Sequence, residues 1–317
     1  MNKICVLTSG GDAPGMNAAI RAVVRSAEYY NMQVVGIERG YQGLIESKIV
    51  PLKSNDVANI IHLGGTILKS ARSEEFRTEE GRQKALAGLK KHKIQGVVVI
   101  GGDGSFMGAK LLSELGIPTI GIPGTIDNDL AYTQYSLGFD TACNTIIDSI
   151  NKLRDTMESH ERVMILEVMG RHCGDLALHA GLAGGAQAIL VPEIPISTKK
   201  LVDIIIKGRD FGRRSFLMVV AEGVAGGAEK IKEDIKEAGG FSVRTVVLGH
   251  TQRGGSPSVF DRNVATRFGY HAVGLLKNGL SNRIVGIKDS HIFDMDIFEG
   301  LNKKKELDSE LYDIAMI

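Results

Sequence analysis

Between Gly124 and Asp129 the chain reads Gly-Thr-Ile-Asp-Asn-Asp, which puts a hydroxyl, an amide and two carboxylates within a few positions. A carboxylate so placed can take a proton from a hydroxyl, and its polar neighbours can orient a substrate. The same residues can also form an Asx-turn that caps the next element, so the segment alone leaves both readings open. It follows an apolar run at residues 117–122 that reads as a buried strand closed by Pro123. The carboxyl end of such a strand is where open α/β sheets place their ligands.

Two glycine-rich turns add a second kind of chemistry. Gly10, Gly11 and Gly15 lie between a short apolar run and a helical pattern, where backbone N–H groups and a helix dipole can cradle phosphate. A tight turn without a ligand would use the same glycines. The spacing matches neither G-x-x-x-x-G-K-[ST] nor G-x-G-x-x-G. The second turn is Gly101 to Ser105, with Gly108 one helical turn further on. Its Asp103 is suited to hold Mg²⁺ beside a phosphate, or simply to cap the following helix. Two phosphate-type turns and a carboxylate pair together suggest phosphoryl transfer. Such a site needs arginine to neutralise charge. Arg72 and Arg77 share one segment, and Arg162, Arg171, Arg244 and Arg253 each flank a strand end or its loop. His250 reads equally as a structural histidine. His172 and Cys173 lack metal-ligand spacing.

The elements that must position these residues alternate. Short apolar runs at 4–7, 34–37, 97–100, 117–122, 163–168, 216–220 and 246–248 read as strands, with helical patterns between them. That order predicts an α/β fold with a mainly parallel sheet covered on both faces. Met16, Ile20, Val23, Val24 and Ala27 recur at helical spacing, and residues 84–93 read as a further helix. The 317 residues suit one large domain or two medium ones, and 43% hydrophobic content allows a core without disulfides. A net charge of +1 gives no global field for nucleic acid. No apolar run approaches the roughly 20 residues that span a bilayer, so no membrane partner is expected. Cys5, Cys143 and Cys173 are scattered and odd in number, which suits a reducing cytoplasm. No signal-peptide pattern opens the chain. The tail lysines, Lys303, Lys304 and Lys305, read as a solvated surface.

Residues 7–17, 101–105, 123–129, 169–171 and 249–257 together resemble the bacterial ATP-dependent 6-phosphofructokinase family, and the resemblance runs from residue 3 to about residue 290. It implies two similar Rossmann-like domains with the active site in the cleft between them. The larger, ATP-binding domain would take residues 1–138 and 251–301; the smaller, sugar-phosphate domain would take 139–250 and 302–317. The implied reaction moves the γ-phosphoryl of ATP to the 1-hydroxyl of fructose 6-phosphate, with Mg²⁺, in a cytoplasmic homotetramer. Matched position by position, Gly11, Arg72, Ser73, Gly102, Asp103, Gly104, Ser105 and Gly108 would contact ATP, with Asp103 organising the metal. Asp127 would be the base, Thr125 and Arg171 would bracket the transferring group, and Asp129 would support metal and base. Ile126, Met169, Gly170 and Glu222 would hold the sugar. Arg162, Arg244, His250 and Arg253 would bind its 6-phosphate or the rim, some from a neighbouring subunit.

An effector site for ADP or phosphoenolpyruvate is implied at Arg21, Arg25, Arg154, Gly185 and Arg213. This chain departs from the family pattern there. Gln187 stands where an acid is common, Ser54 and Asn55 where basic and aromatic residues are common, and Phe211 where lysine is common. Two other function classes fit parts of the sequence. A dinucleotide-dependent oxidoreductase draws support from the first glycine turn and Glu38, but the third-glycine spacing is missing. A non-catalytic sugar-phosphate sensor is opposed by the retention of Asp103, Asp127 and Arg171.

Overall fold

The computed structural model describes residues 1–317. The strands are β1 (Lys3–Thr8), β2 (Gln33–Ile37), β3 (Ile49–Leu52), β4 (Gly96–Gly101), β5 (Thr119–Pro123), β6 (Val163–Val168), β7 (Ala188–Leu190), β8 (Phe216–Ala221), β9 (Val243–Val247), β10 (Arg283–Lys288) and β11 (His291–Asp296). The helices are α1 (Met16–Tyr29), α2 (Gly40–Ile45), α3 (Glu79–Lys91), α4 (Asp103–Glu114), α5 (Phe139–His160), α6 (Asp175–Ala183), α7 (Thr198–Asp210), α8 (Gly227–Gly239), α9 (Val259–Lys277), α10 (Ile297–Leu301) and α11 (Ser309–Ala315). The chain divides into two compact units. Unit one comprises Met1–Ile126, Leu130–Thr141 and Arg253–Lys304; unit two comprises Asp127–Asp129, Ala142–Gln252 and Lys305–Ile317.

Unit one is built on a seven-stranded sheet in the order β11-β10-β5-β4-β1-β2-β3. Its centre is parallel, with β4 beside β1 (Leu7 opposite Val99) and β5 (Ile100 opposite Ile122). All six residues of β4 are buried, as an unalternating β-branched run demands. The two edges, β3 and β11, are antiparallel. The α1 stripe of Met16, Ile20, Val23, Val24 and Ala27 is buried as its spacing predicts. Burying each of the four larger side chains, Met16, Ile20, Val23 and Val24, is worth roughly 1.5–3 kcal/mol.

Unit two carries a four-stranded parallel sheet, β7-β8-β6-β9. Its core gathers Ile165, Leu190, Ile205, Phe216, Met218 and Ile235. The final strand begins earlier than the apolar run at 246–248 suggests. As an edge strand, β9 leaves Arg244, Thr245 and Val247 partly in water, so it lacks a continuous apolar signal. The strand expected at 117–122 is likewise shifted to Thr119–Pro123. Pro118 has no N–H to give a ladder and instead accepts from Val97 N through its carbonyl.

The lysine-rich tail corrects the sequence reading in part. Lys303 and Lys304 are exposed, but Lys305 Nζ lies 2.8 Å from Asp175 Oδ2, with only 23% of its side chain in water. No helix of the chain is long and apolar enough to cross a membrane.

Candidate active site

Because β1, β4 and β5 run parallel, their carboxyl ends bring three loops of unit one side by side. These are Ser9–Gly15, Gly102–Ser105 and Gly124–Ile126. The helices leaving the first two loops start without a side-chain cap. Gly15 (φ 103°) precedes α1 and Gly102 precedes α4, and neither helix has its first N–H groups taken by a side chain. By contrast, Thr78, Ser197 and Ser258 cap α3, α7 and α9 through their hydroxyls. Uncapped first turns leave donors and a positive dipole end available to an anion.

A cavity of about 420 Å³ joins Gly10, Gly11 and Asp12 of the first loop to Thr66, Ser70, Ala71 and Arg72. The facing loop is tied in place by polar contacts. Ser70 Oγ donates to Gly10 O at 2.6 Å. Buried Asn17 donates to Leu63 O and Gly64 O and accepts from Ile67 N at 2.8 Å. Sequence reasoning gave Asn17 no role of its own; a buried amide on an otherwise apolar helix face is the signal that could have found it. Ser73 does not reach this cavity with a free hydroxyl, since it donates to Gln42 Oε1 at 2.8 Å and accepts from Phe76 N. Arg253 comes to the first glycine turn: its Nη1 donates to Asp12 O at 3.3 Å, over Gly11.

On the second loop, Asp103 and Gly104 are exposed at the start of α4. A side chain at Gly104 would meet nothing within 4 Å. Gly108 is buried against the ring of Tyr41, whose hydroxyl donates to Ser105 O. At Gly124 a β-carbon would lie 3.1 Å from Ile100 Cγ2 and 3.2 Å from Met16 Cε, so the open room is at Gly104. Thr125 Cβ borders Gly102, and Thr125 O accepts from Ser136 Oγ.

In unit two the carboxyl ends of β6, β8 and β9 gather Met169–Arg171, Glu222 and Gly249–Gln252. Asp127 is fully buried, and its Oδ2 lies 3.2 Å from Arg171 Nε. Asp129 Oδ2 is 3.9 Å from Arg171 Nη1. Two carboxylates two residues apart therefore face one guanidinium. The intervening Asn128 has φ 51° and Arg171 has φ 54°, left-handed conformations that cost on the order of 1–3 kcal/mol each and persist only where surroundings enforce them. Glu222 Oε1 accepts Arg171 N at 2.8 Å. Gly170, at φ 129°, has Cys173 O where a β-carbon would be. Gln252, wholly buried, accepts from Met169 N and donates to Gly249 O. His250 is exposed on the same loop.

Two of the expected arginines lie elsewhere. Arg162 immediately precedes β6 and Arg244 is the second residue of β9, while Met169–Arg171 follow the other end of β6. Six strand residues rise roughly 20 Å, so these two arginines sit at the amino end of the sheet, away from Arg171 and His250.

The residues expected at an effector site are divided between the units. In unit one, Arg21 and Arg25 line a cavity of about 470 Å³ with Arg267, Tyr270 and His271. In unit two, Arg154 donates to the carbonyls of Gly184 and Gly185. Gln187 spends its amide on Gly185 O (2.9 Å) and Leu217 N (2.7 Å). Ser54 donates to Glu28 through both N–H and hydroxyl. Arg213 and Phe211 are exposed. Glu38, the candidate ribose-binding acid, pairs with Lys69 at 3.3 Å.

The family model described as Phosphofructokinase matches residues 3–276. A protein of Clostridioides difficile (strain 630) named ATP-dependent 6-phosphofructokinase is 59% identical over all of this chain and 99% of its own length. One of the same name from Alkaliphilus metalliredigens is 57% identical over the same shares. Among solved structures, phosphofructokinase from Saccharomyces cerevisiae matches with TM-score 0.89 and 35% identity, over 95% of this chain and 45% of that one. A pyrophosphate-dependent phosphofructokinase from Marinobacter aquaeolei matches with TM-score 0.86 and 26% identity, over 98% of this chain and 86% of that one.

Proposed function

The chain belongs to the phosphofructokinase family, and from that membership we propose how its side chains share out the reaction. The enzyme phosphorylates fructose 6-phosphate with ATP, a step of glycolysis. The observation that carries the assignment of roles is the buried Asp127 held against Arg171, with Asp129 on the same guanidinium.

ATP is taken by unit one. The N–H groups of Gly11 and Gly102–Gly104 and the Ser105 side chain receive its phosphates, the uncapped starts of α1 and α4 add their dipoles, and Arg72 neutralises charge across the cavity. Ser73 and Gly108 support that wall from behind, Ser73 through Gln42 and Phe76 N and Gly108 against Tyr41, and Thr125 borders Gly102. Mg²⁺ takes one or two carboxylates and fills its shell with phosphate oxygens and water, which suits the single exposed carboxylate of Asp103 beside Gly104. When bound, the ion would neutralise charge on the β- and γ-phosphates. The sugar is held by Ile126, Met169, Gly170, Glu222, His250 and Arg253.

Asp127 accepts the proton of the sugar 1-hydroxyl as that oxygen attacks the γ-phosphorus. The bond from the γ-phosphorus to the bridging oxygen breaks, and ADP leaves with its electron pair. Arg171 and Thr125 balance the charge of the group in flight. A metaphosphate-like transition state asks for such positioning more than for covalent chemistry. The assay that tests this couples fructose 1,6-bisphosphate formation to ATP with Mg²⁺, and separately to pyrophosphate. ATP should be the better donor, because Gly104 leaves room for the adenosine and α-phosphate. Faster turnover with pyrophosphate would refute the donor reading.

Arg162 and Arg244, at the amino end of the unit-two sheet, are proposed to serve the 6-phosphate of another copy of the chain, in a homotetramer. Replacing either with Ala should weaken fructose 6-phosphate half-saturation by about 1.5–3 kcal/mol, roughly 10- to 150-fold, and leave ATP half-saturation nearly unchanged. An unchanged value for the sugar phosphate in both variants would sink the placement. Scattered thiols and bacterial glycolytic relatives support a cytoplasmic setting.

Arg21, Arg25, Arg154, Gly185 and Arg213 are proposed to form an anion-binding effector site at an interface between copies of the chain. Gln187 offers no negative charge to a metal-bound diphosphate, and its amide is already taken by backbone. ADP should therefore activate feebly, and a metal-free anion such as phosphoenolpyruvate should act through Arg25. Saturation curves for fructose 6-phosphate with each effector check this; strong ADP activation surviving in Arg25→Ala would refute it.

A further inference from the structure

We propose that Lys305, Asp175 and Asn128 form a positioning chain through which the C-terminal segment holds the catalytic turn, Asp127 to Asp129, in its working shape. The inference rests on the reading of Asp127 as base and adds to it the means by which the turn is held.

The three groups meet on one oxygen. Asn128 Nδ2 donates to Asp175 Oδ2 at 2.9 Å, and Lys305 Nζ reaches the same oxygen at 2.8 Å. Asn128 is 2% exposed and the Asp175 side chain 6% exposed. A carboxylate that deep needs a compensating charge as well as hydrogen bonds. Lys305 supplies it. His179, one turn along α6 from Asp175, does not compete for that role, because burial foremost lowers its pKa and leaves the ring neutral near pH 7.

What the chain of contacts secures is a backbone conformation. Asn128 is in the left-handed region, at φ 51°. In that bend Asp127 and Asp129 both turn toward Arg171. Asparagine visits this region more readily than most residues, yet its side chain must be held for the bend to stay single. Asp175, at the first turn of α6, offers a rigid acceptor. Lys305 is itself anchored, because the segment that follows it is pinned where Tyr312 Oη donates to Ile189 O at 3.2 Å and Asp308 caps α11. Asn128 and Asp175 are 47 residues apart in sequence and Lys305 lies more than a hundred residues beyond both, so packing alone joins them.

Steady-state kinetics of the full-length enzyme, with ATP, Mg²⁺ and fructose 6-phosphate, test the chain. Lys305→Met should lower kcat on the order of 10- to 100-fold through misplaced carboxylates, with half-saturation by ATP little changed. Lys305→Arg, which keeps the charge, should restore most of kcat. Lys303→Met, on an exposed neighbour, should match the parent. Combining Lys305→Met with Asp175→Asn should cost no more than Asp175→Asn alone, since both act through one contact. Where Lys305→Met does not fold, Asn128→Gly supplies the same test, as glycine accepts the bend but lacks the amide, and its kcat should fall similarly. Unchanged kcat in Lys305→Met, equal losses in Lys303→Met, multiplying losses in the double variant, or parent-like kcat in Asn128→Gly would each overturn the proposal. Asp127→Asn, measured alongside, separates the two ideas: its retention of turnover would remove Asp127 as base, whatever the Lys305 variants do.

Discussion

Asp127 and Asp261 are both shut away from water, at 0% and 1% exposure, yet their surroundings differ in kind. Around Asp261 the partners are neutral donors. Gly138 N and Thr141 N reach it at 2.9 Å each, joined by the Thr141 hydroxyl. Burial nevertheless pushes its pKa up to about 6, against those donors. Asp127 instead faces the guanidinium of Arg171, which it shares with Asp129. Neutral N–H groups can hold a carboxylate in place. A guanidinium can do so and is also fitted to receive phosphate. The first region is therefore a latch between the start of α5 and the start of α9, and the second has the makings of the site proposed for it.

The largest test of that contrast is Asp127→Asn. Loss of a general base should reduce turnover by about 10²- to 10⁴-fold while thermal unfolding and ATP binding stay close to those of the parent. Near-normal turnover would erase the distinction between the two aspartates.

Asp261→Asn should do the reverse. The amide oxygen cannot accept all the donors that converge on the carboxylate, and its NH₂ meets some of them face on. A stability loss of about 1–3 kcal/mol is expected, read from denaturant midpoints, with kcat per folded molecule unchanged. A selective loss of kcat without loss of stability would move Asp261 out of its role as latch.

The smallest effect is a pH slope. The folded-state pKa of Asp261, about 6, lies above the ordinary aspartate value of about 3.9, so the folded chain binds this proton more tightly than the unfolded chain does. Its protonation favours folding fully below about pH 4, and that contribution is lost as pH rises through about 6. The stability of the parent should therefore decline relative to Asp261→Asn across that interval. Denaturation at a series of pH values checks the sign; a parent that gains on the variant with rising pH would contradict it.

Much of this was legible in the residues themselves. Strand runs at 97–100 and 163–168 and the α1 stripe are short-range patterns, and the polar loops that close the strands follow directly in sequence, so a parallel α/β order places them together. The strands β3, β7, β10 and β11 fall outside the apolar runs that the sequence offers as strands. β3 and β11 are edge strands whose apolar signal is diluted by partly exposed positions, and β7 has only three residues, whereas β10 is an interior strand with Ile284–Ile287 buried between polar ends.

Local pattern also singles out the residues proposed for the chemistry: Asp127, Asp129 and Asp103 stand out by type and neighbourhood. It could not determine what holds them. Three consecutive lysines look alike in sequence, and only packing decided that Lys305 reaches Asp175 while Lys303 and Lys304 stay in water. Likewise Asp261 meets Gly138, Arg253 lies over Gly11, and Arg162 and Arg244 fall at the far end of the sheet from Arg171. The reason is one of range. Strand and turn preferences act over a few residues, whereas the partner of a buried polar group is set by which distant segment the core brings against it.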